Sequence, residues 1–368
     1  MTLDGIFFWV RAVPLLLLIL VPLVLVHEFG HFLTARIAGI RVLEFGIGFP
    51  PKAKTIGRDH ETEYTLNWLP IGGFVRLEGE ESESDDPRAF SNAGLGRQLV
   101  VLAAGVTMNL LTAVVLMFIV AWAFNPIVEP VVMSVAPNSP AAIAGLKDGD
   151  RLISLNGQTQ SLLDFKADPI APWSNDLRNH AGQTVTLVLL DTAGQQRTVV
   201  TTLRTPTEQN PGALGVSLNF TIGYTPGNPV SAAGQAVSGT VTALGLIVVA
   251  LGDVGNQIVT NPTQAPPGVS GPIGIAQSVS TVVTQQDGLM MLLLLAAVLS
   301  ANLALINFLP FPPLDGGKAA VMIVKKAFGK KGVGALEVAT YLIGFGLLIT
   351  FIAWISVFDI IRAGSGGP

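Results

Sequence analysis

The 368-residue chain is expected to fold as a polytopic α-helical membrane protein. The expectation comprises about four transmembrane helices, a membrane-associated β-hairpin or small sheet, and one soluble domain facing outward. Three observations carry it. Half the residues are hydrophobic, only 12% are charged, and the mean hydropathy is strongly positive, which is the profile of an integral membrane protein rather than of a soluble enzyme. Four apolar runs, at 6–26, 98–124, 289–309 and 338–360, reach the roughly 20 residues that a crossing needs. Lys and Arg are unevenly spread, with seven in 41–97, five in 310–337 and only six in the much longer 125–288. The two basic loops are therefore expected in the cytoplasm and the long segment outside. The net charge of −4 points to no nucleic-acid partner. With no cysteine, disulfides and thiolate metal ligands are excluded.

Taken in order, the first run is longer than a signal-peptide core and no small-residue cleavage site follows, so it reads as a retained transmembrane helix. The next segment contains EYTLNWLPIGGFVRLEGE (63–80), with β-branched and aromatic residues around a Gly-Gly break, and is expected to form a hairpin or sheet at the membrane. ESESDDP (81–87) reads as an acidic turn or flexible segment. The second run returns the chain outward. The stretch 230–252 has no charge, but it is rich in Ser, Thr, Gln and Gly and lacks the Leu density of the four runs. It is expected to lie on, or dip into, the membrane surface. The last two runs flank NFLPFPPLDGG (307–317), where prolines end a helix and Gly316 and Gly317 permit close backbone approach.

The stretch LVLVHEFGHFL (23–33) places ionisable groups inside an apolar run, where each needs a reason. His27, Glu28 and His31 match H-E-x-x-H. Positions i and i+4 share one helix face, so both imidazoles can reach one ion, and neutral imidazole suits zinc. Glu28 would act on water rather than bind the metal. A catalytic zinc wants a third protein ligand and one open position. The remaining histidines, His60 and His180, read as surface residues. Asp315 is the better third ligand if it points back into the bundle; the alternative is a turn aspartate in a plain loop. Topology favours Asp315, because with 230–252 not crossing, spans one and three both end on the cytoplasmic side. A five-span chain would separate the ligands unless another segment re-entered. Asn109 follows Gly105 at a G-x-x-x-N spacing that lets helices approach, and Asn302 and Asn307 lie in the third span. These amides either bond neighbouring helices or orient substrate and stabilise an oxyanion.

HEFGH, GVTMN (105–109), NFLPFPPLDGG, GFP (48–50), LPIGGFVRLEGE and SGPIGIA (270–276), in this order, resemble the site-2 protease family of intramembrane zinc metalloproteases. The resemblance is to the branch of the bacterial regulator-of-sigma-E protease and covers nearly the whole chain. It implies one zinc ion held by His27, His31 and Asp315, with Glu28 as catalytic base. It also implies that Asn109, Asn302 and Asn307 lie near the substrate, and that Gly73, Phe74 and Val75 belong to β-structure holding the substrate as an added strand. The family often follows DGG with His or Arg; here it is Lys318, with no consequence seen for the metal.

VVMSVAPNSPAAIAGLKDGDRLISLNG (131–157) resembles a PDZ domain of the bacterial protease type, and the length holds only one such domain. Strands are expected at 183–190 and 196–203, with ALGVSL (213–218) as a closing strand. The expected domains are therefore 1–125, two transmembrane helices with the zinc motif and the cytoplasmic β region at 41–80; 126–222, an extracytoplasmic PDZ domain; 223–288, surface or amphipathic helices; and 289–368, the last two transmembrane helices with the Asp-Gly motif. The PDZ domain would act as a size gate or as a peptide receptor.

The expected function is an intramembrane zinc endopeptidase of a cell membrane. It would cleave single-pass membrane proteins such as anti-sigma factors, membrane-bound transcription regulators or signal-peptide remnants. A membrane-anchored zincin cutting at the surface is the first alternative, and zinc retained after loss of Asp315 would favour it. A PDZ-bearing receptor without activity is the second; the intact Glu28 argues against it.

Overall fold

The structure is a computed structural model describing residues 3–364 apart from 60, 81–83, 167, 209–211, 265, 267, 268, 286 and 329–333. His60 and the first part of the acidic segment thus lie outside the described residues. In chain order the elements are α1 (Leu3–Ile37), β1 (Val42–Arg58), β2 (Glu63–Leu77), α2 (Leu95–Ala123), β3 (Pro126–Val135), α3 (Pro140–Ile143), β4 (Arg151–Leu155), α4 (Ala171–Asn179), β5 (Thr184–Leu190), β6 (Gln196–Thr202), β7 (Val216–Tyr224), α5 (Pro229–Thr260), α6 (Pro272–Val282), α7 (Gly288–Phe308), α8 (Asp315–Phe328) and α9 (Gly334–Gly364). They fall into two compact units, 1–116 with 243–368, and 117–242.

Five described helices are long and apolar enough to cross a membrane: α1, α2, α5, α7 and α9. Four are the expected spans, and the protein is a multi-pass membrane protein. The fifth, α5, holds 230–252 within one unbroken helix of 32 residues. Its Ser, Thr and Gly lower the mean hydropathy without interrupting the helix, because each costs a helix no more than about 1 kcal/mol relative to Ala.

In the first unit, α1 runs well past residue 26 and carries the whole H-E-x-x-H sequence in its last turns. The β region is larger than a simple hairpin. Lys52–Arg58 pairs with Glu63–Asn67, and Val42–Ile47 pairs antiparallel with Gly73–Leu77. Glu44–Ile47 also stands against Glu63–Leu66, with register rising on both sides, so the bulged strands fold over one another. The Gly-Gly break lies inside β2 instead of ending it, and Gly72 has a φ of 75° that other residues rarely adopt. Among the described residues no further strand pairs with the outer edge of Gly73–Leu77. A core of Phe32, Ala35, Ile40, Val42, Leu77, Phe90, Val101 and Leu102 fastens the end of α1 to this sheet and to α2.

SGPIGIA starts α6, which packs on α1 through Ala12, Leu16, Ala276 and Val279. Asp359 of α9 is buried and accepts the backbone N–H of Gly274 at 2.8 Å. A side-chain carboxylate from another helix thereby caps the N-terminus of α6, the end that favours negative charge. Arg362, one turn on, donates to the carbonyls of Val269 (2.7 Å) and Pro266 (2.8 Å).

The second unit contains an antiparallel sheet in the order β6-β5-β4-β3-β7. Alternating inward residues Val185, Leu187 and Leu189 of β5 meet Leu152, Leu203, Leu214 and Trp173 in one core. The indole N–H of Trp173 donates to the Val128 carbonyl at 3.2 Å, which satisfies the polar end of a fully buried ring. The closing strand is β7, beginning at Val216, so only the second half of ALGVSL is in it.

Candidate metal centre

His27 and His31 project from one face of α1, and Asp315 opens α8. Asp315 points back because the chain doubles sharply after α7. A Cβ on Gly316 would overlap the Phe308 carbonyl and come within 2.5 Å of the Leu309 carbonyl. Only glycine lets the first turn of α8 close on the end of α7, so the D-G-G order is what brings the carboxylate to the imidazoles.

The three ligand atoms form a nearly equilateral triangle. His27 Nε2 to Asp315 Oδ2 is 3.0 Å, His31 Nε2 to the same oxygen is 3.1 Å, and the two Nε2 atoms are 3.1 Å apart. Zinc bonds of about 2.0–2.1 Å put tetrahedral neighbours roughly 3.3 Å apart, so the triangle is close to one face of such a site. Proton assignment tightens the fit. His31 Nδ1 is 2.8 Å from the Val101 carbonyl. A carbonyl only accepts, so Nδ1 carries the proton and Nε2 turns its lone pair to the carboxylate. Three acceptors facing one another at this distance, in a nearly buried place, would be satisfied by a cation between them. The donor set suits zinc and leaves a fourth position free. His27, His31 and Asp315 are the one cluster of potential ligands of this kind among the described residues.

Glu28 opens onto the same cavity, which has a volume of about 190 Å³ and is lined by Val24, His27, Glu28, Asn109, Leu303, Asn307, Pro313, Leu314 and Asp315. Asn109 and Asn307 are thus both at the cavity. Asn302 is half-buried on α7 and does not line it. Gly73, Phe74 and Val75 also lie off the cavity, on the unpaired edge of β2, with Gly73 against Leu25 of α1 and Phe74 stacked on Phe49 at 6.5 Å. His180 belongs to the second unit, where its Nδ1 donates to the Asp176 carbonyl at 2.7 Å.

Close helix crossing builds the site. A Cβ on Gly105 would overlap His31 Nε2 and lie 2.6 Å from His27 Cε1. Reciprocally, a Cβ on Gly30, within the motif, would lie 2.6 Å from the Ala104 carbonyl. Two glycines on facing helices let α1 and α2 meet at the imidazoles. Three partners escaped the sequence reading. The Val101 carbonyl is a backbone group, which a residue pattern does not advertise. Ser300 Oγ donates to the Asn109 carbonyl at 2.7 Å, fixing α7 to α2. Lys318 donates to Glu80 Oε1 at 2.8 Å, joining α8 to the turn after β2; its only sequence signal was the departure from the family's His or Arg.

These features define a class, a membrane metalloprotease whose centre lies between helices. The description "Peptidase family M50" matches residues 15–351. A protein of Clostridium acetobutylicum named as a candidate zinc metalloprotease is 32% identical over 342 residues, covering 92% of this chain and 94% of that one. Zinc metalloprotease RasP of Geobacillus kaustophilus is 28% identical over 426 residues, covering 92% and 95%. A solved PDZ domain from an SdrC-like protein of Listeria monocytogenes is 21% identical over 24% of this chain and 85% of its own, with a TM-score of 0.20. The chain belongs to peptidase family M50, the site-2 protease family, and is a zinc metalloprotease.

Proposed function

We propose that this chain is an intramembrane endopeptidase that cleaves single-pass membrane proteins in or near the bilayer. Zinc would be held by His27, His31 and Asp315, and Glu28 would be the general base. The observation that carries the proposal is that Glu28 shares one cavity with all but one of the ligands, between helices apolar enough to span. Zinc, when bound, supplies Lewis acidity that acidifies water and polarises a peptide carbonyl. Glu28 takes the proton of the attacking water and returns it to the leaving amine. Val24, Leu303 and Leu314 give the cavity an apolar wall beside it.

The substrate is read as an extended strand on the outer edge of Gly73–Leu77, which pairs with no further strand among the described residues. Strand pairing stabilises the unwound form and exposes its peptide bonds to attack. Phe49, Trp68 and Ile71 are exposed on the same sheet, which suits a lipid-facing surface.

The active site is placed toward the cytoplasm and the second unit, a PDZ-type domain, outside. The Lys and Arg distribution supports this. His27 is near the C-terminal end of α1 and Asp315 follows the C-terminal end of α7, so both helices run the same way. With α5 lying on the outer surface, the parity of crossings agrees. Were α5 to cross, α6 would have to return the chain, and its 11 residues span only about 16 Å against a core of about 30 Å.

Glu28→Gln keeps the shape of the side chain and removes the base. Purified in detergent, this variant should retain stoichiometric zinc while cleavage of a reporter membrane peptide falls ~10²–10⁴-fold. Cleavage at the normal rate would refute the mechanism.

A further inference from the structure

We infer that Asn109 is a positioning residue. Its amide oxygen accepts the Nδ1–H of His27, and this sets which ring nitrogen faces the metal. The inference rests on the reading of His27 as a zinc ligand.

Val101, Gly105 and Asn109 stand at i, i+4 and i+8 on α2, and so share one face. His27 and His31 stand at i and i+4 on the facing helix. The two sets meet in register. Val101 bonds His31 Nδ1 at 2.8 Å, Gly105 makes room for both rings, and Asn109 lies 3.3 Å from His27 Nδ1. One helix thus addresses the far nitrogen of each imidazole.

As placed, the Asn109 amide turns its nitrogen to the ring, and Oδ1 is buried with no partner among the described residues. Oxygen and nitrogen of an amide are told apart only by their hydrogen bonds. An N–H donated to Nδ1 would force the ring proton onto Nε2, straight at Asp315 Oδ2 and His31 Nε2, and would close the site to a cation. Turned end for end, Oδ1 accepts Nδ1–H and Nε2 keeps its lone pair in the triangle. Either orientation leaves one amide atom without a protein partner, so that count does not separate them; the ring does. Asn109 is completely buried and its own carbonyl is held by Ser300, so it has little freedom to serve elsewhere. An acceptor behind each metal-bound imidazole is the arrangement that fixes tautomer and ring orientation.

The role differs from that of an amide donating to an oxyanion, and the carboxylate variant separates the two. An aspartate accepts but does not donate. In full-length protein titrated with zinc against a competing chelator, Asn109→Ala should weaken zinc binding ~10–100-fold. Asn109→Asp should restore it to within a few-fold of wild type. With ring-¹⁵N histidine, zinc-loaded wild type should show His27 protonated on Nδ1, and Asn109→Ala should shift or broaden that N–H signal as its acceptor is lost. The chain has four histidines, so replacing each in turn assigns the signals. Unchanged zinc affinity in Asn109→Ala, failed rescue by Asn109→Asp, or a wild-type proton on His27 Nε2 would each overturn the inference. The wild-type spectrum needs no variant to fold. Zinc bound equally well by wild type and His27→Ala would instead sink the ligand assignment itself, and is read separately.

Discussion

At the scale of single residues, the centre depends as much on atoms that are missing as on ligands that are present. Gly105 is the clearest case. Alanine there needs space that His31 Nε2 already fills. Overpacking of this kind costs about 1–3 kcal/mol, which corresponds to a loss of roughly 10–100-fold in zinc affinity where the strain falls on the bound geometry. Gly105→Ala should therefore lose zinc to a competing chelator and lose cleavage in proportion. Gly96→Ala, on the same helix with nothing near its Cβ, should match wild type in both. Equal zinc affinity in the two variants would show that the rings can move aside at no cost.

At the scale of elements, the docking of α6 rests on one carboxylate. Asp359→Leu removes the acceptor of the buried Gly274 N–H, and an orphaned buried donor costs about 1–3 kcal/mol. The variant should unfold at a lower temperature in detergent, while Asp359→Asn keeps an acceptor and should lose less. Equal melting of both variants and wild type would remove the cap from the account. This element also shows what was legible beforehand. H-E-x-x-H, the L-D-G-G turn and the four Leu-rich runs announce themselves because each needs particular residue types at fixed spacing. SGPIGIA was recognisable only as a string; that its glycines make room for a carboxylate from α9 depends on a contact 85 residues away in sequence. The folded-over β region was read as a hairpin from β2 alone, since Val42–Arg58 alternates weakly and pairs through bulges. The length of α5 was blurred by its small polar residues, which a helix tolerates and a hydropathy reading discounts. The partners of the imidazoles were hidden for a simpler reason, because one is a peptide carbonyl and the other an amide whose direction only the ring decides.

At the scale of the whole molecule, the absence of native cysteine makes the proposed topology directly measurable. Single cysteines at Lys326 and Arg88 should react with an impermeant maleimide only from the cytoplasmic side. Cysteines at Asp191 and Asn261 should react only from the outer side. Labelling of Asn261→Cys from the cytoplasm would mean that α5 crosses, and the shared side of His27 and Asp315 would need another explanation. Across this frame the Glu80–Lys318 ion pair runs between two parts with separate tasks. Glu80 closes the turn behind the free strand edge, and Lys318 sits one turn beyond Asp315 on α8. Were a substrate to pair with that edge, the bond would act as a tie rod, passing a load on the strand to the helix that carries the carboxylate. A polypeptide seated askew would strain the grip on the ion, and one seated true would brace it, so docking and readiness to cut would share a single mechanical linkage.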